Sequence, residues 1–392
     1  GVQIIDDFAG RCLLADEMGL GKTYQVLLWL KKNPHACPAI VVCPAIVKYN
    51  WQAEALNLIN MRAEVLNGNT IPKQRRLVSH TPLIIINYDI LPAWVPFLRL
   101  MKPQTIIIDE CHYIQNRSTK RAQAVKRLCK GVPHVLALSG TPLTNRPAEL
   151  WPTLNILRPD LFPTFSQFGQ EYCKPEWKPW GWQFKGATNL PELHALLNET
   201  CMLRRRKRDV LKQLPPKTQS TVLLDIRNRQ EYQHAETDFL SWLRTHHKGK
   251  AKRAAKAHQM VRMGYLKRLT AKLKVRSVCE WLENFLAESR EKIIVFSIHH
   301  KMTDALHRRF ESISEKLDGR VTGHKRQLVI DKFRAKKRTR ILLGNITAAG
   351  VGWNGTVASN VAFAELGWTP GEMNQAADRI WRLGQKKPCT VF

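Results

Sequence analysis

Short apolar runs alternate with amphipathic stretches along the first 145 residues of the chain. The runs at 12–15, 40–43, 83–86, 105–108 and 135–139 are rich in Ile, Val or Leu, and each is followed by a polar turn. Continuous apolar runs of this length are how strands buried on both faces of a parallel sheet read. The stretches between them, such as 23–32 and 119–130, carry helical periodicity. From about 150 to 216 the character changes. Pro and Trp cluster at Pro175-Glu176-Trp177-Lys178-Pro179-Trp180-Gly181-Trp182, no strand alternation is evident, and a helical insertion with an irregular loop is expected. Residues 228–274 read as long helices. A second α/β pattern opens near 278, with helices expected at 278–289, 301–310 and 326–335 and strands at 292–297, 339–343, 360–363 and 389–392. The predicted fold class is α/β, with two parallel-sheet lobes. The first spans 1–150, helical insertions and a basic inter-lobe region span 151–277, and the second lobe spans 278–392.

Charge narrows the picture. The 392 residues hold 62 Lys+Arg against 32 Asp+Glu, a formal charge of +30. With 44% hydrophobic residues and 12 Trp the chain is not a disordered basic tail. A folded chain so charged is suited to a polyanion. Residues 201–277 alone carry 21 Lys/Arg against 5 Asp/Glu, a net of +16. No apolar run approaches the roughly 20 residues of a membrane span. The nine cysteines include no C-x-x-C pair and no spacing suited to zinc, which reads as free thiols in a reducing compartment. The chain opens at Gly1 in mid-pattern and is read as a segment of a longer protein.

Gly19-Leu20-Gly21-Lys22-Thr23 follows an expected strand and opens an expected helix, the context a phosphate loop requires. The glycines let backbone N–H groups close around phosphate oxygens, and the helix N-terminus adds positive potential. Lys22 would reach the β- and γ-phosphates, and the Thr23 hydroxyl would ligate Mg2+. The usual loop has Gly five residues before Gly21, where Asp16 stands. Asp109-Glu110-Cys111-His112 ends another strand. Alone, such a pair is a solvated turn. After a phosphate loop it reads as a Mg2+ ligand, Asp109, and a group that polarises the attacking water, Glu110. Ser139-Gly140-Thr141 at a third strand end suits a coupling element. Arg379 and Arg382, three residues apart, are expected on one helix face as charge-stabilising arginines. The basic run at 204–208 reads equally as a track for a polyanion or a solvated helix face.

These segments occur in the order of a superfamily 2 helicase-type motor of the Swi/Snf class, which the chain resembles over essentially its whole length. Residues 14–23 resemble the first motif, including the Asp in place of Gly. Residues 41–44 with Trp51 and Glu54 resemble the next, 109–112 the acidic box, and 138–142 with Asn145 and Glu149 the third. Residues 202–217 resemble the segment between lobes, and 293–297 the motif opening the second lobe. Residues 347–354, with Thr347 and Gly352, resemble the fifth motif, and 375–385, from Gln375 through both arginines, the sixth. Phe363-Ala364-Glu365-Leu366 further resembles the annealing-helicase, HARP-like branch. Departures include Gln115 where Lys is usual and Trp353 where an aliphatic residue is common.

The resemblance implies two RecA-like lobes with ATP between them, and an ATP-dependent translocase on double-stranded DNA, forked or branched DNA included. It implies catalysis by Lys22, Asp109, Glu110, Arg379 and Arg382, and ATP binding by Gly19, Leu20, Gly21, Lys22, Thr23 and Gly352. Coupling would fall to Ser139, Gly140, Thr141 and Gln375, and DNA contact to Lys48, Trp51, Asn87, Tyr88 and Thr347. Accessory domains outside the segment and an intracellular location, nuclear in a eukaryote, are expected. An RNA helicase and a non-catalytic DNA-binding scaffold are the alternatives.

Overall fold

The computed structural model describes residues 1–71, 81–140, 146–179, 181–237, 259–321, 323–349, 352–367 and 369–392; of residues 259–261, 324, 347 and 348 only the backbone is described. The chain divides into two compact units, Gly1–Gln213 and Leu214–Phe392.

The first unit is built on a parallel sheet. Its strands are β1 (Arg11–Leu14), β2 (Ala39–Cys43), β3 (Ala63–Val65), β4 (Leu83–Asn87), β5 (Thr105–Asp109), β6 (His134–Leu138) and, after a separate hairpin of β7 (Glu176–Lys178) and β8 (Gly181–Gln183), β9 (Met202–Leu203). The order across the sheet is β3-β4-β2-β5-β6-β1-β9. Every residue of β2 and β4 is buried, as the unbroken Ile/Val/Leu runs foretold. Helices Lys22–Lys32, Lys48–Ile59, Leu91–Leu100 and Lys120–Cys129 connect the strands. The last is capped by the Thr119 hydroxyl, which accepts from the Ala122 N–H at 3.3 Å, and its final turn carries Lys126 and Arg127, cations that suit a helix C-terminus.

Residues 151–277 do not stay together. Helix Trp151–Leu157 is buried at every position, and Leu193, Leu197, Cys201 and Met202 join the same core. β9 then pairs with β1, Leu13 opposite Met202 and Leu14 opposite Leu203. The hairpin β7–β8 lies where an irregular loop was expected; its strands are three residues each, too short for alternation to show in the sequence. From Leu214 onward the chain belongs to the second unit, because helix Gln259–Glu288 places Val278 and Leu282 in that unit's core. The long helices expected at 228–274 correspond to Arg229–Thr237 and to the start of Gln259–Glu288, while 238–258 lies outside the described residues.

The second unit holds another all-parallel sheet, of β10 (Lys217–Gln219), β11 (Ile293–Ser297), β12 (Ser314–Leu317), β13 (Ile341–Asn345), β14 (Asn360–Phe363) and β15 (Cys389–Val391), in the order β10-β15-β14-β11-β13-β12. The edge strands β10 and β12 are short and polar, so apolar patterning gave no sign of them. Two parallel-sheet units with helices are the α/β architecture expected. No helix among the described residues is long and apolar enough to cross a membrane.

Candidate nucleotide site

β1 ends at Leu14 and the chain enters a loop whose glycines carry the turn. Gly19 has φ 88° and Gly21 φ 73°, left-handed conformations that a side chain disfavours. Gly21 caps helix Lys22–Lys32, so the backbone N–H groups of its first turn face outward from the sheet edge. Lys22 folds back over the loop, its Nζ donating to the Asp16 carbonyl at 2.6 Å. Thr23, half-buried, sits in the first helical turn.

Asp16 explains its own departure from the usual glycine. It is fully buried, and Oδ1 accepts from the Arg205 backbone N–H at 3.0 Å and from Arg205 Nε at 3.1 Å. Oδ2 accepts from Arg205 Nη2 at 2.5 Å and from Gln25 Nε2 at 3.1 Å. Glu17 repeats the pattern, its Oε2 accepting from the Lys207 N–H at 2.7 Å. The phosphate loop is thus fastened to residues 205–207 by two carboxylates. Within the basic run, Arg205 turns inward and Lys207 is fully buried, so these two form neither a solvated face nor an outward track. Spacing along the chain does not single out Gln25, and it marks Arg205 only as part of the basic run 204–208. The signal available was the Asp where a loop glycine belongs, since a buried carboxylate demands a partner.

Along the same sheet edge, β5 ends at Asp109 and β6 at Leu138, and β6 lies between β5 and β1. Asp109 Oδ2 accepts from Trp51 Nε1 at 2.8 Å, and the Asp109 carbonyl accepts from the Tyr88 hydroxyl at 2.7 Å. Burial and the neighbouring Glu110 charge push the Asp109 carboxyl up to about 7, against the opposing pull of Trp51 and Lys22. Glu110 is held at φ 53°, a conformation unusual for a non-glycine residue, and its Oε2 lies 3.3 Å from His112 Nδ1. Ser139 is buried, its N–H donating to the Leu14 carbonyl at 3.1 Å. A Cβ added to Gly140 would fall 2.4 Å from Met18 Cγ, so the 139–140 turn lies directly against the phosphate loop. Thr141 lies outside the described residues.

Lys48, Trp51, Asn87 and Tyr88 are all buried. Lys48 Nζ donates to the Leu66 carbonyl at 2.8 Å, to Asn67 Oδ1 at 2.7 Å and to Asn87 Oδ1 at 3.0 Å. These four side chains brace the strand ends from inside the unit, Trp51 and Tyr88 by holding Asp109.

In the second unit, Gln375 lies on helix Pro370–Ala377. The helix ends before the arginines, which sit in the turns that follow, not on one helical face. Asp378, which pairs with Lys217 at 3.0 Å, and the Arg379 carbonyl, which accepts from the Gly355 N–H at 2.9 Å, draw the chain aside there. Tertiary contact restores their convergence. Arg379 Nη1 and Arg382 Nη1 both donate to the Trp353 carbonyl at 3.3 Å. Trp353 itself is buried, its Nε1 donating to the Ala349 carbonyl at 2.7 Å. Gly352, next to it, has φ 79°. Thr347 falls in helix Ile346–Ala349, and its side chain is outside the described residues. Glu365, named before only within a motif, ties two strand ends together. Its Oε2 accepts from the N–H groups of Ile298 and His299 at 3.0 and 2.9 Å.

Among the described residues no three His, Cys, Asp or Glu side chains gather as a metal cage. With Asp16 and Glu17 engaged by residues 205–207, the donors the sequence assigns to an ion are the Thr23 hydroxyl and the Asp109 carboxylate. That set fits an ion such as Mg2+, which takes its other ligands from phosphates and water.

The chain is 36% identical over 411 residues to the SWI/SNF-related matrix-associated actin-dependent regulator of chromatin subfamily A-like protein 1 of Xenopus tropicalis, an alignment covering 100% of this chain and 41% of that protein. It is 32% identical over 397 residues to the DNA annealing helicase and endonuclease ZRANB3 of Homo sapiens, covering 96% and 36%. The chain therefore spans about two fifths of the length of these relatives. A solved Sulfolobus solfataricus SWI2/SNF2 ATPase core in complex with dsDNA superposes with a TM-score of 0.49 at 25% identity, covering 100% of this chain and 84% of that one. The helicase conserved C-terminal domain matches residues 273–384 and the SNF2-related domain residues 7–310. The chain, matched over most of its length by that second domain, belongs to the SNF2-related family.

Proposed function

We propose that the chain is the ATP-hydrolysing core of a motor that moves on double-stranded DNA. The observation that carries this reading is the meeting of three strand ends at one sheet edge, where the phosphate loop, the Asp109-Glu110 pair and the Ser139-Gly140 turn adjoin. The loop N–H groups and Lys22 would hold the phosphates of ATP. Thr23 and Asp109 would hold Mg2+, which when bound supplies charge neutralisation at the β- and γ-oxygens. Glu110 orients the attacking water and accepts its proton, a task its proximity to His112 supports. Arg379 and Arg382 are proposed to stabilise charge developing on the γ-phosphoryl, and Gly352 to approach the nucleotide through its backbone. Ser139, Gly140, Thr141 and Gln375 are proposed to relay nucleotide state.

Duplex DNA as the track, and reannealing or remodelling as the outcome, draw support from the charge of +30 and from relatives named for chromatin regulation and DNA annealing. The same names support a nuclear setting if the source is eukaryotic. Lys48, Trp51, Asn87 and Tyr88 are proposed to act on DNA only indirectly, by holding the loops that grip it. Grip on phosphates would be salt-dependent and sequence-tolerant.

The deciding measurement is ATP hydrolysis by the protein with and without duplex DNA or duplex RNA. Duplex DNA is expected to raise the rate, and Lys22→Ala to abolish it while sparing DNA binding. A rate indifferent to DNA, or raised by RNA alone, overturns the reading.

A further inference from the structure

The Pro–Trp cluster is the sequence feature that the nucleotide chemistry leaves unused. Helix Phe165–Tyr172 ends at Cys173, and Lys174 turns the chain with φ 42° into the antiparallel hairpin β7–β8. The root of the hairpin is fixed. The Gly186 N–H donates to the Cys173 carbonyl at 3.1 Å, and the Thr188 N–H to the Tyr172 carbonyl at 3.0 Å. The Phe184 ring meets Phe165 edge-on at 5.2 Å and lies so close to Gly169 that a Cβ there would sit 2.6 Å from it. The Arg117 guanidinium covers Phe165 at 3.8 Å. Above this packed root, Trp177 and Trp182 stand opposite one another with ring centroids 5.2 Å apart, 65% and 54% exposed.

A cross-strand indole pair helps hold a short ribbon together. Stability alone does not require the outer faces of both rings to be left in water. The hairpin's own sequence is net basic. Lys174 and Lys185 are exposed at the root, Lys178 pairs with Glu176 at 3.3 Å, and no other acid occurs between 174 and 186. Open aromatic faces flanked by lysines are the chemistry that receives unpaired nucleotides: bases stack on the indoles and phosphates meet the ammonium groups. Bases within a duplex already stack on each other and offer no free face. We infer that the exposed indole pair of Trp177 and Trp182 is a binding site for unpaired nucleotides, used where single strands meet duplex. Its biological setting rests on the DNA-motor reading above; its binding chemistry does not.

The test compares the wild-type protein with Trp177→Ala/Trp182→Ala. Anisotropy titrations use a forked duplex with single-stranded arms, a blunt duplex and a single-stranded oligonucleotide. Loss of stacking is expected to weaken fork and single-strand binding about tenfold or more, with blunt-duplex binding held. Trp177→Phe/Trp182→Phe should keep most of the affinity, which a purely structural role at the hairpin would not separate by substrate. If the double alanine variant melts early, each single alanine variant takes its place. Unchanged fork binding, or equal loss on fork and blunt duplex, overturns the inference. A wild-type protein that binds single strands through these residues but ignores duplex would instead sink the motor reading and leave the hairpin site standing.

Discussion

Lys48 and Lys207 are 5% and 0% exposed in the first unit, while Trp177 and Trp182 of the same unit are 65% and 54% exposed. The usual ranking of residues by burial is reversed, and the reason is partners. The Lys48 ammonium donates to one backbone carbonyl and two side-chain amide oxygens, so its N–H groups are satisfied where it lies, while burial lowers its pKa. The two indoles meet each other across the middle pair of a narrow ribbon and remain largely exposed. Inward cations here organise loops; outward aromatics are free to meet something else.

That contrast can be broken most severely at Asp16. Arg205→Ala leaves its buried carboxylate without the guanidinium, and the first unit should lose about 3 kcal/mol, read as a lower urea midpoint. An unchanged midpoint would show that the inward arginine organises nothing. Lys48→Met keeps the volume but strands three acceptors, and should cost about 2 kcal/mol with the salt dependence of DNA binding intact. A variant of full stability whose salt slope drops by about one would put Lys48 back on the DNA. Gly140→Ala forces Met18 away from the turn, and about 1 kcal/mol of overpacking should appear as a small drop in melting temperature with a larger fall in ATP turnover. Wild-type turnover would mean that the turn and the loop are not mechanically joined.

The smallest effect belongs to a solvated counterpart of the Asp16 pair. Asp304 accepts from Arg320 Nη2 at 2.7 Å and from Lys316 Nζ at 2.8 Å, and the Arg320 guanidinium, then Lys316, hold its carboxyl well below the ordinary carboxylate range. A depressed carboxyl contributes stability above its unfolded value of 3.8 and loses it as pH falls through and below that point. Its side chain is 35% exposed, so Asp304→Asn should cost less than about 1 kcal/mol at neutral pH. The gap to wild type should close in acid melts. A gap that persists at low pH would assign the loss to packing and not to charge.

The buried strands were plain in the sequence because unbroken runs such as Leu83–Asn87 have only one environment that suits them. The phosphate loop and acidic box were equally plain, since glycine spacing and strand-end acids are local chemistry. β10, β12 and the hairpin left no trace, being three or four residues long and polar or Pro-flanked. The convergence of Arg379 and Arg382 was expected for a local reason, a shared helix face, and arises instead from one distant carbonyl, that of Trp353.

The sequence by itself determined what is written in short-range pattern: two parallel α/β units, the nucleotide loop, the acids at its side and a charge suited to a polyanion. Only the tertiary structure decided which charges face inward and which aromatics face out. A lysine or a tryptophan carries no mark of its surroundings. Its direction follows from contacts made across long separations, such as Asp16 with Arg205, that patterning along the chain cannot hold.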